Sequence, residues 1–186
     1  MESPDTSTDE KTLAALALAL VDHPRASLQE LAKAIGISKT TLYRYCRTRE
    51  ELIQRLMAQA TVALKRAVEA AQLDQGTPRE ALSRMTQSHL EHRELTAFLT
   101  YYWRDAVTDP GVESGWESAV DAFFLRGQQA GVFRIDISAA TLSDLWASML
   151  IGLVDGERRG RIARVGLAGV MDKVFMEGVQ GSAVMR

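Results

Sequence analysis

"IGISKTTLYRYCRTREELI", residues 35–53, decides how this chain is read. A glycine lies between two isoleucines, a serine follows, and the stretch holds four cations, four Ser or Thr hydroxyls and two tyrosines. Gly36 suits the left-handed backbone that follows a helix end. Ser38 is a helix-capping residue type, so a short helix is predicted from there to about Tyr45. Just upstream, Ser27 and Glu30 form a capping box. Leu28, Leu31, Ala32 and Ile35 then give the inner face of another short helix. Two short helices joined by "AIGIS" make a helix-turn-helix. Ala32 allows close approach, and Ile37 and Leu42 pack inward. Lys39, Thr40, Thr41, Tyr43 and Arg44 are left facing out, able to donate to phosphates and reach base edges.

Charge supports this reading. The 186 residues carry a net charge of −2, but it is unevenly spread. Residues 1–22 hold one cation against five acids, residues 23–55 seven against three, and residues 56–186 fourteen against sixteen. A local positive excess in an acidic chain points to an anionic partner. The single cysteine, Cys46, rules out an internal disulfide and fits a reducing, cytoplasmic location. No apolar run reaches the ~18 residues of a membrane span. The acidic opening, residues 1–9, is expected to be a disordered tail and not a signal peptide.

Helical spacing recurs along the rest of the chain, and the fold class is all-α. A first helix is predicted over 10–22, ended before Pro24. Thr48 with Glu51 makes a capping box that opens a long helix to about Leu73. Thr77 as cap with Pro78 behind it starts a fifth helix, to about His89. Further helices are predicted over Arg93–Asp105 and Trp116–Ala130, the latter stopped by Gly131. "TDPGVESG", 108–115, reads as the least ordered internal stretch, and "VFRIDI", 132–137, as an extended link. Ser138 opens an eighth helix carrying an apolar stripe from Leu142 to Val154. After "RRGR" comes a ninth, with Leu167, Val170, Met171, Val174 and Phe175.

The residues "LQELAKAIGISKTTLYRYCRTREELI" resemble the DNA-binding domain of the TetR family of transcriptional regulators. The likeness rests on Thr41-Leu42-Tyr43, the Tyr45-Cys46 pair, and Thr48-Arg49-Glu50-Glu51-Leu52, and it covers about a quarter of the chain. Cys46 stands where that family usually has Phe, and the link "DHPRAS" is shorter than usual. The resemblance implies a helix-turn-helix domain over 10–55 and a larger helical ligand-binding and dimerisation domain over 56–180. It implies DNA contacts by Ser27, Ser38, Lys39, Thr40, Thr41, Tyr43, Arg44 and Arg49, with Arg49 where the family usually has a phosphate-binding lysine.

The expected function is that of a ligand-responsive regulator, a repressor bound as a homodimer to a palindromic operator. One helix-turn-helix reads too few base pairs for affinity, so a two-fold dimer is expected. Its interface is assigned to the eighth and ninth helices, through Leu145, Trp146, Met149, Leu153, Gly156, Met171, Val174 and Phe175. Gly152, Gly156 and Gly160 are expected to admit another backbone. A pocket for a small apolar or aromatic ligand is placed among Met85, His89, Phe98, Tyr101, Tyr102, Trp103, Trp116 and Phe123, with Arg104 and Asp105 as further polar groups. Ligand binding is expected to tilt the fourth helix and move the recognition helices apart. The alternative is a helical small-molecule-binding protein or enzyme with a vestigial helix-turn-helix. His23, His89 and His92 show no metal-ligand spacing, so neither a catalytic site, a metal nor a cofactor is expected.

Overall fold

The computed structural model describes residues 4–106 and 115–179, with side chains for 9–102 and 115–179. All regular structure in them is helical: α1 (Pro4–Asp22), α2 (Leu28–Ala34), α3 (Lys39–Tyr43), α4 (Arg49–Ala71), α5 (Pro78–Leu90), α6 (Arg93–Ala106), α7 (Gly115–Gln129), α8 (Ala139–Arg158) and α9 (Leu167–Val179). The fold is all-α, as the spacing implies. No described helix is long and apolar enough to cross a membrane. Most of "TDPGVESG" lies outside the described residues.

The start of α1 departs from expectation. It begins at Pro4, not at residue 10. Proline at a first helical position has its φ already set and lacks a donor that would go unpaired there anyway. The early turns are also tied to the rest of the fold, because Asp9 accepts a hydrogen bond from the Tyr45 hydroxyl.

Two compact units divide the chain. One gathers α1, α2, α3, α4 as far as Ala63, and α6; the other gathers the end of α4 from Leu64, α5, α7, α8 and α9. In the first unit, α6 packs along α1. The core there is made by Leu13, Leu16, Ala17 and Leu20 of α1, Leu31 and Ala32 of α2, Leu42 of α3, Leu52 and Leu56 of α4, and Phe98 of α6.

In the second unit, α7 lies against α8, and α9 lies against both α5 and α8. Met85, Phe123, Phe124, Phe133, Trp146 and Phe175 fill its centre. Phe133 follows α7 and folds back onto it. A Cβ built on Gly127 would sit 2.2 Å from the Phe133 ring, so this approach requires glycine.

Candidate nucleic-acid interface

The turn between α2 and α3 is closed by backbone bonds. The Ile37 N–H donates to Ala32 O at 2.9 Å and the Gly36 N–H to Lys33 O at 3.2 Å. This pair is the Schellman arrangement, which places Gly36 at a left-handed φ of +75°. The caps around it are those the sequence implies. The Ser27 hydroxyl accepts from the Glu30 N–H, and the Glu30 carboxylate accepts from the Ser27 N–H at 2.7 Å. Those bonds to Ser27 hold the Glu30 carboxyl below its ordinary value. At α3, the Ser38 hydroxyl accepts from the Thr41 N–H at 3.0 Å and pairs with the Thr41 hydroxyl at 2.8 Å.

Leu42 fixes which way α3 faces. It is 1% exposed and anchors the helix to the core. Lys39, Thr40, Tyr43 and Arg44 lie on the exposed side, and Thr41 is half-buried. The Lys39 ammonium sits 5.4 Å from the Tyr43 ring centroid, and Tyr43 itself is 43% exposed. A cation and a phenol held together on an exposed helix face supply donors of the kind that bind phosphate.

The helix stops two residues short of the expected end, because Tyr45 and Cys46 turn inward. Tyr45 is buried, donates to Asp9 Oδ1 at 2.5 Å, and lies beneath Arg55, whose Nη1 donates to the Tyr45 carbonyl at 3.1 Å. Burial, and after it the bond to Asp9, push the Tyr45 phenol above its ordinary value. Cys46 is a fully buried small side chain, and burial pushes its thiol up as well. A protonated buried thiol is a poor nucleophile.

The opening of α4 differs in detail from the sequence reading. The Thr48 hydroxyl accepts from the Glu51 N–H at 3.1 Å, as a cap should. The Glu51 carboxylate, however, reaches one residue further back, to the Arg47 N–H at 2.7 Å. Arg49 is half-buried and bonded within the chain. It donates to Ala26 O at 2.9 Å, to Pro24 O at 2.7 Å and to the Tyr102 hydroxyl at 3.1 Å. Its expected phosphate contact therefore competes with three internal acceptors. Sequence reasoning missed Tyr102 as a neighbour of this site, since 53 residues separate it from Arg49.

The eight pocket residues fall in different units. Met85, His89, Trp116 and Phe123 belong to the second. There the buried His89 ring has Nδ1 2.8 Å from Met85 O, and its Nε2 accepts from the Trp116 indole at 2.9 Å. The neutral tautomer with hydrogen on Nδ1 satisfies both bonds. The Trp146 ring meets the His89 ring edge-on at 4.9 Å, and its own N–H points to the Thr86 hydroxyl at 3.3 Å. Phe98, Tyr101 and Tyr102 belong to the first unit, where Phe98 and Tyr102 stack at 4.7 Å and Tyr101 is half exposed. The side chains of Trp103, Arg104 and Asp105 lie outside the described ones.

The expected interface residues also divide. Leu145 and Val174 are 48% and 52% exposed, and Met149 and Leu153 are partly so. Trp146, Met171 and Phe175 instead turn into the chain's own core, and Gly156 is closed off by Ile162, which a Cβ would meet at 2.5 Å. These four are interior positions, a correction to the surface role expected of them. The reason is that α8 is apolar on adjoining rows. Leu142, Trp146, Leu150 and Val154 take the inside, leaving Leu145, Met149 and Leu153 on the neighbouring row.

Comparison with known proteins agrees with this geometry. Residues 14–56 match the family of bacterial regulatory proteins called the tetR family. Over 181 residues the chain is 46% identical to the HTH-type transcriptional regulator NfxB of Pseudomonas aeruginosa, covering 95% of this chain and 97% of that one. It is 33% identical over 98 residues to the HTH-type transcriptional repressor LfrR of Mycolicibacterium smegmatis, about half of each chain (53% and 51%). The crystal structure of LfrR in complex with proflavine superimposes with a TM-score of 0.70 at 22% identity, covering 95% of this chain and 98% of that one.

Proposed function

Because the chain is a helix-turn-helix transcriptional regulator belonging to the TetR family, we propose that it acts as a homodimeric repressor on a palindromic operator and is released by a small apolar or aromatic ligand. The observation that carries this reading is the outward face of α3. Lys39, Thr40, Tyr43 and Arg44 stand exposed on a helix whose opposite side is pinned by Leu42. Lys39 and Arg44 neutralise phosphates, Thr40 and Thr41 reach base edges, and Tyr43 donates its hydroxyl to the backbone. Ser27 and Ser38 contact the flanking strand. Residues 10–55 are read as the DNA-binding domain and 56–180 as the ligand-binding and dimerisation domain.

Dimerisation is assigned to the exposed row of α8 with its neighbour on α9: Leu145, Met149, Leu153, Val170 and Val174. A two-fold pair of α3 helices then meets two half-sites about one helical turn of DNA apart. For release, the ligand must bind the DNA-free arrangement more tightly than the DNA-bound one, and α4 is assigned to carry that difference. Proflavine, the compound held by LfrR in its crystal structure, is the first to try. Among the expected pocket residues, His89 and Trp116 of the second unit are the first positions at which to probe its contact.

The test is selection of a duplex from a random-sequence pool, followed by affinity measurements over a range of salt. A regulator yields one palindromic sequence, and its affinity falls steeply with salt, by a log–log slope of about −0.9 per phosphate neutralised. Enrichment of no sequence rejects the reading.

A further inference from the structure

Arg49 occupies the position where the resemblance expects a phosphate contact, yet its guanidinium is already engaged. Nη1 donates to Ala26 O, and Nη2 donates to both Pro24 O and the Tyr102 hydroxyl. Pro24 and Ala26 belong to the short link between α1 and α2, directly before the Ser27 cap. The guanidinium thus grips two peptide groups that lead into α2. Tyr102 is in turn held by its stack on the fully buried Phe98, with rings 4.7 Å apart and 21° from parallel. The three acceptors are reached from two separate nitrogens of the planar fork, whereas a lysine offers its donors from a single nitrogen.

We propose that Arg49 and Tyr102 are positioning residues for DNA binding. The Tyr102 hydroxyl orients the Arg49 fork, and the fork holds the Pro24–Ala26 link so that α2 presents Ser27 to the duplex in a fixed register with α3. A residue of α6 that is remote from the recognition helix in sequence thereby sets operator affinity. The inference rests on the DNA-binding reading above, and it separates Arg49 from the residues that touch phosphate.

The experiment measures binding of the full chain to its selected duplex over a range of salt, for the wild type and for Lys39→Ala, Arg49→Ala, Arg49→Lys and Tyr102→Phe. Lys39→Ala serves as the control for a direct phosphate contact and should flatten the salt slope by about one phosphate. If Arg49 is a positioning residue, Arg49→Lys fails to rescue: both Arg49 variants weaken binding by a similar factor, about tenfold, with the slope of the wild type. Tyr102→Phe, which keeps the stack on Phe98, weakens binding about threefold at unchanged slope and unchanged melting temperature. It carries the test even where Arg49→Ala unfolds the chain. Wild-type affinity in Arg49→Lys, together with a flattened slope in Arg49→Ala, would overturn the proposal in favour of direct phosphate binding. Wild-type affinity in Tyr102→Phe would overturn the part given to α6. A wild-type chain that selects no duplex counts against the DNA-binding reading itself.

Discussion

Tyr45 donates its hydroxyl to Oδ1 of Asp9 at 2.5 Å, joining the residue just past the recognition helix to the early turns of α1. The bond is part-buried and its acceptor is a carboxylate, so Tyr45→Phe should cost about 1–2 kcal/mol of stability. Urea unfolding at neutral pH checks this. Because the folded phenol is held above its ordinary value of 10, the stabilisation is complete below about pH 10 and is lost as pH rises through the raised value. The wild type should therefore lose stability at alkaline pH more steeply than Tyr45→Phe.

Gly127→Ala should destabilise the second unit. Gly127 lies in the last turn of α7, where alanine in place of glycine would by itself favour the helix by at most about 1 kcal/mol. Here the added Cβ falls 2.2 Å from the Phe133 ring, which is lodged against Phe123 and Phe124 at centroid distances of 5.7 and 5.3 Å and cannot easily retreat. The overpacking, typically about 1–3 kcal/mol and more for a clash this close, outweighs the propensity gain. A lower urea midpoint is expected, and a raised one would contradict the packing described for Phe133.

Thr77 caps α5 through a reciprocal pair with Glu80: the Thr77 N–H donates to the carboxylate at 2.9 Å and the hydroxyl accepts from the Glu80 N–H. Thr77→Ala should cost about 1 kcal/mol. The bonds from Thr77 hold the Glu80 carboxyl below its ordinary value of 4.5. That contribution is present above pH 4.5 and is lost as pH falls through the lowered value. Glu80→Gln should remove part of the acid-side loss of stability, read from thermal melts between neutral pH and about pH 3.

Leu145→Arg and Val174→Arg together should turn the proposed dimer into a monomer, since both side chains are half exposed in the single chain and the proposed interface would bury a charge at each place. Sedimentation equilibrium gives the mass. The folded monomer should retain its helicity and lose operator affinity; an unchanged dimer mass would move the interface elsewhere.

Helix starts were legible in the sequence where they depend on a capping residue: Ser27 with Glu30, Ser38, Thr77 and Ser138 each cap the helix expected of them. The inward turn of Leu42, which leaves Lys39 and Arg44 exposed, follows from the same local pattern. Arg49 was not legible in this way. Its partners at residues 24, 26 and 102 are brought to it by the packing of other helices, and no spacing in the sequence announces them. Trp146 was misplaced for a different reason. On a helix as apolar as α8, periodicity marks a wide stripe, and the partners that Trp146 meets inside, Thr86, His89 and Trp116, come from other helices. Gly156 looked like an opening for another backbone, but Ile162 of the same chain closes it.

The most direct measurement is a footprint of the chain on its selected duplex, made with the wild type and with a Lys39→Ala, Arg44→Ala double variant. The account predicts two protected half-sites related by a two-fold axis, lost in the variant although it melts at the wild-type temperature. Protection that persists unchanged in the variant would show that α3 does not read the DNA, and would contradict the interface on which the proposed function rests.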